Sequence, residues 1–442
     1  MRSRDVAAAA FGSRARRIVE RIHRRVAAAT GHQWPIRLWD GTELGPDDAP
    51  FRLVLRRPSA LRALLAPGDV AAGEAYLGGD VDVEGDLVAA LRAAARTQRQ
   101  QLPLPTSAAL AVDLLRLPPP PACGDRRIRL RGRAHSLARD REAVRAHYDV
   151  GNDFYALFLD RNLVYSCAYF ADRDEPLDVA QERKLDLICR KLALRSGDRF
   201  LDIGCGWGAL VLHAARHYGV HATGVTISQG QYDLGRERIR QAGLADRVEL
   251  VLADYREIRG RFDAVASVGM FEHVGPDELE EYFSRCFALT ARSGRFLNHG
   301  ITTGGRGVVR DFTRDSDTFL ARYVFPDGGL VPAWEAVRHT ERAGFELIDV
   351  EQLRPHYELT LRKWVRRLEV NHDIAVRAAS EAVYRIWRVY MAAAAVGFAT
   401  NELGVIQVLG GKGASLPLGR RWMLPTTPEH ASPAQLAGDV GA

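Results

Sequence analysis

One stretch, Phe200–Ala209 (FLDIGCGWGA), constrains this chain more than any other. An apolar run of Phe200, Leu201 and Ile203 leads into glycines at 204, 206 and 208, and a helical pattern follows from Leu210 to His217. That order predicts a buried parallel strand, a tight glycine turn and then a helix. Glycines at such a turn let the backbone approach a ligand without interference from Cβ atoms. The ligand then sits at the carboxyl end of the first strand of a doubly wound sheet. Asp202, at the end of that strand, can accept hydrogen bonds from an ammonium group, a polarity that suits S-adenosylmethionine better than a pyrophosphate. Three glycines alone are a weak signal, and the strand–turn–helix context supplies the rest.

The chain has 442 residues, 47% of them apolar, which implies about two domains of an ordinary globular protein. No apolar run reaches the roughly 18 residues of a transmembrane helix. The first residues lack the apolar core of a secretion signal, so a cytoplasmic location is expected. The cysteines at 123, 167, 189, 205 and 286 are scattered and form no CxxC. Neither a disulfide framework nor a metal site is expected from them. Charge is uneven: residues 1–150 hold 25 Arg, no Lys and 17 acidic residues, a net of +8, while the remainder carries a net of −2. Lysine occurs only at 184, 191, 363 and 412, a bias that reads as genome composition.

Along the chain, residues 11–29 place Phe11, Ile18, Val19, Ile22 and Val26 among Arg14, Arg16, Arg17, Arg21, Arg24 and Arg25. This is an amphipathic basic helix, either packed on its own domain or set against an anionic lipid surface. Strand-like and helix-like segments through residue 96 predict a small α+β domain, 1–96. Residues 97–140, with Pro103, Pro105, the run Pro118–Pro121 and Arg126, Arg127, Arg129, Arg131 and Arg133, read as an exposed linker. Residues 141–418 alternate helical patterns with strand-like runs at 199–203, 221–225, 248–253, 264–268, 295–298 and 345–353, which argues for an α/β layer structure. A single long helix is expected over 373–400, and residues 419–442 read as a frayed tail.

Several motifs flank the glycine turn: HYDVGNDFYALFLD (147–160), YSCAYF (165–170), GVTISQGQ (224–231), SVGMFEHVG (267–275), NHGIT (298–302), YVFPDGGLVP (323–332) and PHYELTLRKW (355–364). In this order they closely resemble the cyclopropane-fatty-acyl-phospholipid synthase family, which includes the mycolic acid cyclopropane synthases. The resemblance is strong over about 147–410. GEAYLGGDVDVEGDL (73–87) also resembles the N-terminal domain of the longer, phospholipid-acting bacterial members.

The resemblance implies a class I methyltransferase, a Rossmann-like doubly wound α/β fold with a smaller N-terminal α+β domain, using S-adenosylmethionine. Matching positions put Tyr165, Ser166, Gly204, Gly206, Gly208, Thr226 to Gln231 (Ser228 among them), Tyr255 and Arg256 around the cofactor, beside Asp202. No acidic residue follows the second strand, so Gln231 is expected to hold the ribose, and Tyr255 to flank the adenine. The implied substrate is the cis double bond of an unsaturated acyl chain in a membrane phospholipid. Methyl transfer to an alkene leaves a carbocation, and ring closure needs a base in a dry, apolar pocket. The family holds a bicarbonate there, and the matching positions are Cys167, Glu272, His299, Tyr357 and the backbone of Ile301. Phe271, Tyr169 and Phe170 are expected to line the acyl channel, and His273 to be structural. The longer members associate, so a homodimer, peripherally bound to membrane, is expected.

One departure stands out. Many members carry Leu-His-Thr-Ile where this chain has Asn298-His299-Gly300-Ile301. The backbone is expected to be freer at 300, with Asn298 beside the anion site. Related enzymes turn the same cation into a methylene branch, and the sequence leaves both fates open. A nucleic-acid methyltransferase would suit the basic first third, but no Asn-Pro-Pro-Tyr type base pocket is present, so no nucleic-acid partner is expected. A lipid carrier that kept the fold is disfavoured by the intact Glu272, His299 and Tyr357.

Overall fold

The computed structural model describes residues 3–100, 102–121, 128–133, 135–148, 150–305, 310–311, 317–413 and 419–423, excluding the side chains at 3–11, 146 and 310–311. Two units interleave along the chain. Met1–Leu159, Thr303–Leu330 and Tyr357–Leu403 make the first, and Asp160–Thr302, Val331–His356 and Gly404–Ala442 the second.

In the first unit, helix α1 (Ser3–Thr30) buries Ala15, Ile18, Val19 and Ile22 in one core with Leu38, Leu55, Val81, Leu110 and Leu117. That spacing is one face of a helix, so burial of the stripe fixes α1 on its own domain. Arg21 grips the buried Asp113 through Nε at 3.0 Å and Nη2 at 2.8 Å, and Arg25 reaches the same carboxylate. Asp113 belongs to helix α2 (Leu104–Leu115), which lies inside the stretch read as linker. Pro105 sits in its first turn, where a proline costs no hydrogen bond and pre-sets φ, so it starts a helix here rather than stiffening an extended segment. A four-stranded sheet, Glu43–Leu44, Ile36–Arg37, Phe51–Leu55 and Val81–Gly85, completes this core. The expected long helix over 373–400 is two helices, His372–Ala378 and Glu381–Ala399, the second capped by the Ser380 side chain on the Val383 amide.

The second unit is built on seven strands: β1 (Arg199–Ile203), β2 (His221–Thr226), β3 (Val248–Leu252), β4 (Phe262–Val268), β5 (Thr290–Thr303), β6 (Glu346–Gln352) and β7 (Leu403–Gly411). Their order is β6-β7-β5-β4-β1-β2-β3. β1 runs parallel to β2 and β4, β2 to β3, and β4 to β5, while β6 and β7 pair antiparallel. Chain order reverses between β1 and β4, and such a switch point opens a crevice at the carboxyl ends of the strands. β1 is central and, from Phe200 on, buried on both faces, which is why Phe200–Ile203 is apolar except for Asp202. Helices α3 (Leu177–Lys191), α4 (Ala209–Tyr218) and α5 (Gln229–Gln241) belong to this unit. Residues 419–423, read as the start of a tail, are anchored: Met423 is buried in the sheet's core and Arg420 pairs with Asp349 at 2.5 Å. The remainder of the expected tail, Cys123, and Arg126 and Arg127 of the expected linker lie outside the described residues.

Candidate active site

At the carboxyl end of β1 the chain turns through Gly204, Gly206 and Gly208, with φ of 77°, 55° and 82°. Only glycine adopts this left-handed run without strain. Gly204 and Cys205 both donate to the carbonyl of Val225, tying the turn to β2, and Gly208 caps α4. A Cβ built on Gly206 would meet no atom within 4 Å, so the turn presents bare backbone to the crevice. Asp202 is buried just before the turn, and its Oδ1 has no hydrogen-bond partner among the described residues. Burial, partly offset by the nearby Lys184, pushes its carboxyl up to about 7. An orphaned buried carboxylate oxygen beside an open glycine turn fits the ammonium end of S-adenosylmethionine.

After β2, Thr226 donates from Oγ1 to the amide oxygen of Gln231 at 2.8 Å. Ser228 caps α5, its Oγ accepting from the Gln231 amide N–H. With Oε1 of Gln231 committed to Thr226, the amide nitrogen is the group left to address a ribose. After β3, Asp254 caps a short turn, 255–257, and is gripped by Arg256 through Nε and Nη2, both at 2.8 Å. Tyr255 is buried against Tyr282, ring centroids 5.7 Å apart.

The loop carrying YSCAYF is held by α3. Gln181 donates to the carbonyl of Ser166 at 2.9 Å, and Lys184 Nζ donates to Ser166 Oγ at 3.0 Å. Tyr169 N–H reaches the carbonyl of Ala180, while its hydroxyl donates to Glu351 Oε1 at 3.0 Å. Glu351 also takes an ion pair from Lys191 at 2.5 Å. Tyr169 stacks on His356 at 4.6 Å between ring centroids. Tyr165 is half-buried and Cys167 fully buried, with Sγ 3.8 Å from the carbonyl of Leu353.

Across the switch point, the chain leaving β4 forms a short turn, Phe271–His273. Glu272 Oε1 accepts from the Ile301 N–H at 2.6 Å, and its Oε2 is shielded from solvent without a hydrogen-bond partner among the described residues. Burial outweighs that hydrogen bond and pushes the carboxyl up to about 7. Burial likewise lowers His273 to about 4. His299 on β5 is buried, and its Nδ1 takes a 3.1 Å contact from the Gln407 side-chain nitrogen on β7. A donor at Nδ1 leaves the ring proton on Nε2, and Nε2 has no partner among the described residues. Burial first, then the charges of Lys184 and Lys191, holds His299 well below the ordinary histidine range, so the ring is neutral. Two unpartnered polar atoms sheltered from water, Glu272 Oε2 and His299 Nε2, fit a small oxyanion better than an apolar ligand.

Asn298 does not serve this site. Neighbours on a strand face opposite ways, and its oxygen accepts from the Tyr282 hydroxyl at 2.9 Å. Gly300 has no positive φ; it is small because Phe271 packs against it. Phe271 is itself buried against Phe283, 6.0 Å between centroids. Tyr357 belongs to the first unit, where it packs on Phe398 at 4.7 Å. Cys167, Glu272, His299 and Ile301 are in the second unit with the glycine turn. Among the described residues, no cluster of His, Cys, Asp and Glu could hold a metal ion.

Sequence reasoning missed Gln181, Lys184 and Gln407. The signal for Lys184 was the rarity of lysine in an arginine-rich chain. A buried site that takes a compact ammonium does not take a guanidinium.

Comparison with known proteins converges on one family. Residues 135–408 match the family described as mycolic acid cyclopropane synthetase. A probable fatty acid methyltransferase of Pseudomonas putida is 39% identical over 384 residues, spanning 85% of this chain and 91% of that protein. The cyclopropane-fatty-acyl-phospholipid synthase of Escherichia coli is 32% identical over 365 residues, 83% of this chain and 89% of that one. Among solved structures, a mycolic acid cyclopropane synthase complexed with SAH and CTAB is 31% identical with a TM-score of 0.57, covering 62% of this chain and 98% of that one. The fold is the α/β class I methyltransferase fold.

Proposed function

Because this chain belongs to the mycolic acid cyclopropane synthetase family, and so is an S-adenosylmethionine-dependent methyltransferase acting on fatty acids, we propose that it alkylates the cis double bond of an unsaturated acyl chain in a membrane phospholipid and yields a cyclopropane ring. The observation that carries this reading is the pair Glu272 Oε2 and His299 Nε2: polar, sheltered from water, without partners among the described residues, and in the same unit as the glycine turn.

The cofactor supplies an electrophilic methyl group when bound. The chain's part is to seat it, with Asp202 and the glycine turn taking its amino-acid end and Gln231 and Tyr255 its nucleoside end. Attack by the alkene leaves a carbocation on the acyl chain, which must lose a proton from the added methyl group to close the ring. A neutral His299 with its proton on Nε2 donates a hydrogen bond and adds no positive charge to repel that cation. Glu272 sits close to neutrality, so it can present either a proton or a carboxylate lone pair. We propose that Cys167, Glu272, His299 and the Ile301 backbone hold a bicarbonate, which supplies a base there. The Ile301 N–H reaches that arrangement through Glu272, to which it is bonded.

A second reading keeps the methyl transfer but ends in a methylene-branched chain. What favours it is the 39% identity to a protein named as a probable fatty acid methyltransferase. Incubating the protein with labelled cofactor and dioleoyl phospholipid, then analysing the fatty acids by mass spectrometry and NMR, separates the two. Cyclopropane methylene protons support the first reading, vinylidene protons the second, and an unchanged lipid neither.

Residues 1–96 are proposed as a lipid-docking and dimerising domain, with the protein peripheral to the membrane. No described helix is long and apolar enough to cross one. Arg14, Arg17 and Arg24 are exposed on α1, and α2 exposes Leu104 and Leu115 at 86% and 70%. Exposed arginines and exposed leucines both suit an anionic lipid surface. Light scattering at micromolar concentration tests the dimer, and a single monomer mass rejects it.

A further inference from the structure

Lys184 is 2% exposed, yet its ammonium has one hydrogen-bond acceptor, Ser166 Oγ at 3.0 Å, and no carboxylate within ion-pair distance among the described residues. A buried ammonium with three donors and a single acceptor is costly, and such groups persist where a further partner completes them. The surroundings say where that partner lies. Ser166 is itself 6% exposed, and its carbonyl is pinned by Gln181 from the same helix, one turn away. Asp202, whose Oδ1 is orphaned, is close enough to interact with Lys184 electrostatically, as is Asp160. Asp160 is already occupied by the backbone N–H groups of Asn162 and Val164, at 2.9 and 2.8 Å. Among the described residues no carboxylate makes a direct ion pair with Lys184, which leaves its charge available to a ligand at Ser166.

We propose that Lys184 is a positioning residue for the amino-acid end of the cofactor: by donating to Ser166 Oγ it turns the Ser166 hydroxyl proton outward, onto the cofactor carboxylate, and sets a fixed positive charge behind that contact. A serine oxygen that accepts from an ammonium has its own O–H left as donor. The methionyl group is a zwitterion, so the site needs both signs: Asp202 faces the ammonium, and Ser166 backed by Lys184 faces the carboxylate. Burial depresses Lys184 to about 8, still cationic at neutral pH. This inference rests on the cofactor assignment made above.

The test uses two ligands that differ in this end alone. S-adenosylhomocysteine carries the amino-acid group, and 5′-methylthioadenosine lacks it. Calorimetric titration of the full-length protein should show Lys184→Met weakening S-adenosylhomocysteine roughly 10–100-fold, the loss of one charge-assisted hydrogen bond, with 5′-methylthioadenosine unchanged. Ser166→Ala should discriminate the ligands in the same way, and the double variant should be no worse than the poorer single one. Equal weakening of both ligands in a folded Lys184→Met protein, or wild-type affinity for S-adenosylhomocysteine, overturns the proposal. If Lys184→Met does not fold, Ser166→Ala decides, and undiminished S-adenosylhomocysteine binding by it is fatal. Wild-type protein that binds neither ligand refutes the cofactor reading itself, and this proposal with it.

Discussion

The ring of Phe271 stands where a side chain at position 300 would go: a Cβ built on Gly300 would meet Phe271 Cδ1 at 2.6 Å and Phe271 Cβ at 3.0 Å. The glycine between the two site residues His299 and Ile301 is thus a space requirement, not a conformational one. Gly300→Thr should force Phe271 out of its place against Phe283. Overpacking of this kind typically destabilises by about 1–3 kcal/mol. The expected result is a lower melting temperature together with altered turnover among acyl chains, and Gly300→Thr/Phe271→Leu should recover stability. An unshifted melting curve for Gly300→Thr would show that the two positions do not compete for space.

Glu272→Gln keeps the shape of the side chain and its acceptor for the Ile301 N–H, but abolishes its titration. Turnover should fall by about 10²–10⁴, the usual contribution of a positioned acid–base group. Affinity for S-adenosylhomocysteine should stay within a few-fold of wild type, since Asp202 and the glycine turn are untouched. Wild-type protein stripped of carbonate should lose activity and regain it on addition of bicarbonate. Near-normal turnover in Glu272→Gln, or indifference to carbonate, sinks the anion-site assignment.

In the cofactor-free protein two buried carboxyls should contribute to stability with a defined dependence on pH. Glu272 and Asp202 both rise to about 7 from ordinary values of 4.5 and 3.8, chiefly through burial. At these two carboxyls the folded state therefore binds more protons than the unfolded state between about pH 4 and 7, so their contribution to stability falls as pH rises through that window, while the buried His273 and His299, held below the ordinary histidine range, contribute in the opposite direction. Glu272→Gln should remove about 2 kcal/mol of this fall between pH 5 and pH 7, from about 1.4 kcal/mol per unit of pKa shift. Denaturant titrations at pH 5 and pH 7 check it, and parallel curves for the two proteins would contradict it.

Gly206→Val places a branched side chain on backbone with φ of 55° and into the space the turn leaves open. The strain is on the order of 1–3 kcal/mol, tolerable for a domain of this size. S-adenosylhomocysteine binding should be lost while the far-ultraviolet circular dichroism remains that of the wild type. Wild-type affinity in a folded variant would remove the turn from the cofactor site.

Among the arginines of α1, those paired with Asp113 and those that are exposed should behave differently. Replacing Arg14, Arg17 and Arg24 by Gln should weaken sedimentation with anionic vesicles, at about 1 kcal/mol per arginine near the surface, without changing the melting temperature. Arg21→Gln should lower the melting temperature instead, because it strips the buried Asp113 of its bidentate partner. Equal vesicle binding by the triple variant and wild type would leave α1 a packing helix alone.

The local sequence determined the elements whose burial pattern is continuous. FLDIGCGWGA and the residues that follow it form a strand, turn and helix because the apolar run, the glycines and the helical spacing are contiguous in sequence, and the adjoining strands and α3 follow the same logic. Motif order was enough to place the chain in its family. Tertiary structure decided what depends on partners distant in sequence. β7, whose glycine-rich sequence carries no alternation, is a strand because it lies between β5 and β6, and it brings Gln407 onto His299, 108 residues away. α2 is a helix packed on α1, not a linker, because Leu110 and Leu117 find a core and Asp113 finds Arg21. Asn298 and His299 are adjacent in sequence, but the pleat sends them to opposite faces, one to Tyr282 and the other to Gln407. The protonation of Asp202, Glu272 and Lys184 was likewise beyond the sequence, because it is set by how completely the surrounding fold excludes water from each group.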